Sequence, residues 1–137
     1  MRWKEFLERV RRSVREIEVL TFRIANGGRD SSGSGIRAHT TAIVRPTESA
    51  AIRELTVVPE LIEQRGRHEQ VVGDALAAIQ RVRDGLGWTE GEILEMFYID
   101  GLLSGEIAGE LGISVDSVFY RKRKALEWMD ENLPMVE

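Results

Sequence analysis

The chain of 137 residues contains no cysteine, which excludes a disulfide framework, a thiolate metal site and a thiol nucleophile. Only two histidines are present, His39 and His68, too few for a His-rich metal centre. No metal or organic cofactor is therefore expected. His68 stands in the polar run Gln64-Arg65-Gly66-Arg67-His68-Glu69-Gln70, where a solvated residue is the ordinary outcome. The chain also lacks an 18-residue apolar run, and its first residues carry Glu5 and Glu8 where a secretory leader has an unbroken apolar stretch, so a soluble cytoplasmic protein with no membrane partner is expected. There is no excess of positive charge either: Lys and Arg number 19 against 23 Asp and Glu, net −4. That balance alone argues against a general nucleic-acid binder.

The distribution of charge says more than its sum. Residues 1–25 hold seven cations and four acids, whereas residues 87–137 hold four cations and eleven acids. Those four cations are consecutive: Arg121, Lys122, Arg123, Lys124.

Apolar residues at 3, 6, 7, 10, 14, 17, 20 and 24 follow the three-and-four spacing of one helical face, predicting an amphipathic helix over 1–25 whose stripe needs a partner helix. Asn26-Gly27-Gly28 ends the pattern, since both residue types take the left-handed conformation that closes a helix. The stretch 26–46, rich in Gly and Ser, reads as a flexible linker. A phosphate-cradling loop is disfavoured there because the stretch follows a helix and lacks a Gly-Lys-Ser/Thr ending.

Thr47 is the expected cap of a second long helical segment, 47–86, carrying Ala51, Leu55, Val58, Ile62, Val72, Leu76, Ile79 and Leu86. Pro59 should bend or interrupt it, and the polar run near Gly66 should fray. These helices are expected to form an antiparallel hairpin or to pair two chains as a homodimer. Thr89-Glu90-Gly91-Glu92 reads as a capping box opening a helix that runs to about Ile99 and stops at Asp100-Gly101.

The segment 104–123, SGEIAGELGISVDSVFYRKR, meets the steric demands of a helix-turn-helix. Ala108 is small where the second helix approaches, Gly112 suits a sharp turn with positive φ, and Val118 packs back with Ile107, Leu111 and Ile113. Ser114 caps the second helix. If Val118, Lys122, Ala125 and Met129 face inward, Asp116, Ser117, Tyr120, Arg121 and Lys124 form the reading face of helix 115–130. Ser117, Tyr120 and Arg121 then reach base edges of double-stranded DNA, Arg121 as a bidentate donor to guanine, while Arg123 and Lys124 hold phosphates. Lys122 is expected to pack its stem and extend its ammonium to solvent or phosphate. A cationic run at a helix end is otherwise just a solvated stretch favoured by the dipole.

The run from Ile93, ILEMFYIDGLLSGEIAGELGISVDSVFYRKRKALEWM, resembles sigma-70 region 4: Tyr98, Asp100 and Gly101, then Glu106-Ile107-Ala108, Leu111-Gly112-Ile113-Ser114, Val118 and Ala125-Leu126. The whole layout is similar to phage and prophage transcriptional regulators of the RinA/ArpU type. The resemblance implies an all-α protein, an N-terminal helical hairpin or dimerisation arm followed by a DNA-binding domain over 87–137. It also implies a regulator of promoter or operator DNA, at the nucleoid of a bacterial host, in contact with RNA polymerase. Leu103 departs from the resemblance, standing where a Ser cap is common, so the first motif helix is expected to start late or fray. The first 86 residues also lack the aromatic-rich helices of sigma region 2.

Two other readings compete: a sigma-like module that docks on polymerase, and a DNA-recognition subunit of a phage packaging machine, the small-terminase type, which would assemble into a ring. An enzyme is not expected. Glu90, Glu92, Glu95 and Asp100 cluster, but around a helix start and stop and without a polarising partner.

Overall fold

The computed structural model describes residues 2–27 and 48–134, with side chains from residue 57 onward in the second stretch. Among the described residues all regular structure is helical. The elements are α1 (Trp3–Ala25), α2 (Glu48–Gly85), α3 (Trp88–Leu94) continued by a π-helical turn (Glu95–Ile99), α4 (Ser104–Leu111) and α5 (Val115–Asn132). Asn26 and Gly27 close α1, with Gly27 at φ 66. The remainder of the expected linker and the expected Thr47 cap lie outside the described residues.

By packing, the chain divides into two units, Met1–Val14 with Gln70–Glu137, and Arg15–Glu69. In the first unit Trp3, Leu7 and Val10 of α1 share one core with Ala75, Ala78, Ile79 and Val82 of α2. Leu94, Tyr98, Ala125, Leu126, Met129 and Leu133 complete it. Each fully buried large side chain there contributes about 1.5 to 3 kcal/mol of burial. The Trp3 ring is fixed at its polar end too, its indole N–H donating to the Leu133 carbonyl at 3.1 Å. Asp130 accepts the Trp3 backbone N–H at 3.0 Å, which satisfies a donor that the first turn of a helix leaves open.

A smaller cluster of Ile93, Ile107, Ala108 and Val118 holds α3, α4 and α5 together, flanked by Met96, Leu102, Leu111 and Ile113. In the second unit Leu20 and Leu61 are buried, and the Arg65 guanidinium donates to the Thr21 hydroxyl at 3.4 Å.

Three local expectations are corrected. First, α2 runs unbroken through Pro59 and Gly66. In a helix of 38 residues the single donor that Pro59 lacks is outweighed by the cooperative ladder on either side. Its inward stripe also differs: Leu61, Ala75, Ala78, Ile79 and Val82 are buried, while Ile62 and Leu76 are exposed. Alanine at 75 and 78 lets neighbouring helices approach closely.

Second, Thr89 is not a cap. The helix begins two residues earlier than a Thr89 cap would place it, with Gly87 at the N-cap and no side-chain cap, and Glu92 pairs with Arg83 instead. Gly91 explains the close approach: a Cβ there would collide with the Arg83 side chain and lie 3.3 Å from the Ile79 carbonyl oxygen. Third, α4 starts without delay at Ser104. Leu103 has no side-chain acceptor, but the Glu106 carboxylate takes the Leu103 N–H at 2.9 Å, supplying half of a capping box.

Candidate functional site

Leu111 ends α4, and three residues, Gly112, Ile113 and Ser114, lead into α5. Gly112 adopts φ 67, ψ 35, a left-handed conformation that costs glycine little and other residues about 1 kcal/mol or more. Ser114 has extended backbone and its Oγ accepts the Ser117 N–H at 3.1 Å. Ala108 and Val118 are buried in the same small cluster. Gly112 and Ser114 thus adopt the backbone conformations expected of them, and Ala108 and Val118 are buried.

The side chains expected on the outer face of α5 fare differently. Asp116, Tyr120, Arg123 and Lys124 are exposed, and helical periodicity sets them on the face opposite Val118, Ala125 and Met129. The Arg123 guanidinium lies 5.9 Å from the Tyr120 ring centroid. Ser114 is spent on its cap. Ser117 and Arg121 sit on the flank, not on the outermost row. Arg121 Nε donates to Ser117 Oγ at 3.2 Å, and its Nη1 donates to Glu90 Oε2 at 3.2 Å. Arg121 is thus engaged within the fold by both Ser117 and Glu90.

Lys122 faces inward as expected, and its Nζ lies 3.9 Å from the Phe97 ring centroid and 5.8 Å from that of Phe119. Burial lowers its pKa, and the charges of Lys4 and Arg11 lower it further, against an opposing pull from Glu8. The four consecutive cations therefore do three different things. Arg121 binds Glu90, Lys122 covers Phe97, and Arg123 with Lys124 remain outward.

The expected carboxylate cluster is likewise divided among partners. Arg83 donates to Glu92 at 2.8 Å and to Glu95 at 2.9 Å. Burial disfavours the Arg83 charge, but the hydrogen bonds to Glu95 and Glu92 and their charges hold its pKa above the ordinary value. Asp100 closes the π turn, its N–H donating to the Glu95 carbonyl at 3.0 Å. Burial raises the Asp100 pKa, assisted by Glu95 and Glu92. Among the described residues no group of three or more potential ligands could hold a metal ion.

Three residues join this region without a signal strong enough to have been singled out. Arg11 of α1 stands over the same Phe97 ring at 4.4 Å, Lys4 lies two turns earlier on that helix, and Arg83 anchors the acids. The only available hint was that Lys4 and Arg11, seven residues apart, share a helical face. No matching family model, curated protein or solved structure was found for this chain.

Proposed function

We propose that the chain is a sequence-specific DNA-binding transcription regulator that reads the major groove with the N-terminal half of α5, α4 and α5 forming a helix-turn-helix. The observation that carries this reading is the outward row Asp116, Tyr120, Arg123 and Lys124 on the helix that follows the left-handed Gly112 and the Ser114 cap. The likeness of residues 93–129 to sigma-70 region 4 supports it and points to promoter or operator DNA of phage or prophage genes. Tyr120 and Asp116 supply base-edge contacts, and Arg123 and Lys124 supply phosphate contacts that position the helix. The N-terminal helices pair two copies, so that two reading helices engage two half-sites.

Selecting bound sequences from random duplex DNA tests the reading directly. A single enriched site is expected, with log K falling as log salt rises by about 0.9 per phosphate contact. Recovery of no enriched sequence, with no shift of duplex in a gel, overturns it.

Exposed apolar side chains favour a second reading, a module that docks on RNA polymerase. Leu103 is 62% exposed and Phe119 51%, with Val115 also exposed, more apolar surface than phosphate contact requires. Capture of purified polymerase without DNA, lost in Leu103→Ser/Phe119→Ser, supports docking over reading.

A further inference from the structure

Two of the three guanidinium nitrogens of Arg121 are engaged inside the fold. Nε donates to Ser117 Oγ one turn back on α5, and Nη1 donates to Glu90 Oε2 on α3, both at 3.2 Å. Among the described residues Nη2 has no partner. It is also open to solvent, because the one buried side-chain nitrogen or oxygen without a partner among those residues is Arg65 Nε. The Arg121 side chain as a whole is 39% exposed. Around the helix axis Arg121 comes about 60° from Lys124 and about 100° from Tyr120, at the edge of the surface that the outward row presents.

The acid that holds Arg121 is itself fixed. The Glu90 side chain is only 11% exposed, and its carboxylate lies against Gly87. The backbone there is extended, with φ 173, which any residue adopts, so glycine serves for space: a Cβ would lie 2.7 Å from Glu90 Oε1. Holding an exposed arginine still costs rotamer freedom that a surface ion pair returns only in small part. An arginine fixed in advance loses less of that freedom on meeting a ligand. Recognition of a base by two parallel bonds needs two nitrogens of one edge of the fork, and each such edge of Arg121 has one nitrogen engaged. A single free nitrogen suits one phosphate oxygen.

We propose that Arg121 donates one hydrogen bond, from Nη2, to a backbone phosphate of the duplex engaged by α5, and that Glu90 and Ser117 are the positioning residues that aim it. The proposal rests on the DNA-reading function above. The contact carries no sequence information; it fixes the register in which Asp116 and Tyr120 meet the bases. The Glu90 charge opposes attraction to DNA, so its removal has two effects of opposite sign. Loss of the charge strengthens binding, and loss of the aim weakens it.

The test measures affinity of the full chain for a duplex of the enriched sequence and for random-sequence duplex, across a salt series, at a temperature where circular dichroism shows every variant fully helical. Arg121→Gln removes the charge and keeps a donor for Glu90, so the fold is retained. Its slope of log K against log salt should be shallower by about 0.9, with the same fold-loss on both duplexes. Glu90→Gln and Glu90→Ala remove the same charge, but only glutamine keeps an acceptor for Arg121. Glu90→Ala should therefore bind severalfold more weakly than Glu90→Gln, and the difference should vanish on an Arg121→Gln background, where a merely structural effect would persist. Equal binding by the two Glu90 variants overturns the positioning role. An unchanged slope in Arg121→Gln, or a loss confined to the enriched sequence, overturns the phosphate contact and leaves the DNA-reading function standing. If the native chain binds no duplex, that function and this contact fall together.

Discussion

Arg121 of α5 and Glu90 of α3 are joined at 3.2 Å, the Glu90 side chain only 11% exposed and that of Arg121 39%. The same guanidinium bonds Ser117 one turn back. The first cation of a basic run is thereby turned into a tie between two helices. Its partner is an acid that has almost left solvent.

Arg121→Ala is therefore expected to destabilise the fold, by about 1 to 2 kcal/mol, because it leaves the Glu90 carboxylate short of a partner. Glu90→Gln should cost less, since Gln still accepts a hydrogen bond and Arg121 retains water and Ser117. A double-mutant cycle followed by urea unfolding should give a coupling of at least about 0.5 kcal/mol. Strict additivity of the two changes would show that the pair contributes nothing.

Replacing Arg83 should be more damaging. Its side chain is 8% exposed and serves Glu92 and Glu95 together. Arg83→Met leaves two acids near Asp100 without their shared cation, and a loss of about 3 kcal/mol is expected. Arg83→Lys should recover only part of this, because an ammonium lacks the planar fork that meets two carboxylates at once. Full rescue by lysine, measured by chemical denaturation, would contradict this account.

Gly112→Ala isolates a backbone effect, since a Cβ there meets nothing within 4 Å while φ is +67. The expected cost is about 1 kcal/mol, with Gly112→Asn costing less. Equal Tm values for Gly112→Ala and the native chain would mean that the turn relaxes out of the left-handed region.

Tyr98 provides a pH test. Burial pushes its pKa up to about 12, with Glu8 adding to the rise and Arg11 opposing it. The folded state holds this proton more tightly than the unfolded chain, where the phenol titrates near 10. Its contribution is therefore complete below about pH 10 and is lost as pH rises through about 12. In a Tyr120→Phe chain, with Tyr98 the one remaining tyrosine of two, tyrosinate absorbance should emerge together with loss of helical circular dichroism. Ionisation near 10 with the helices intact would refute the burial argument.

Much of this was legible from residue order, because helix stripes, turns and caps depend on neighbours within a few positions. The α1 stripe, the Asn26-Gly27 stop, the left-handed Gly112, the Ser114 cap and the inward set Val118, Ala125 and Met129 are all of this kind. Thr89 was misleading for the same reason. Its capping pattern is a local possibility that Glu92 abandons, since Arg83, nine residues earlier, offers a charge-assisted bond.

Which cation meets which acid, and which stays in water, was decided only by tertiary structure. Arg121, Lys122, Arg123 and Lys124 are consecutive and chemically alike, yet 100° of helical rotation per residue sends them toward Glu90, Phe97 and the outer face in turn. No periodicity in α5 announces Glu90 on α3, or Arg11 on α1 beside Lys122. The sequence determined the helices and the turn by short-range sterics; the shared core of α1, α2 and α5 determined the electrostatic pairing, because only packing sets the distance between charges far apart along the chain.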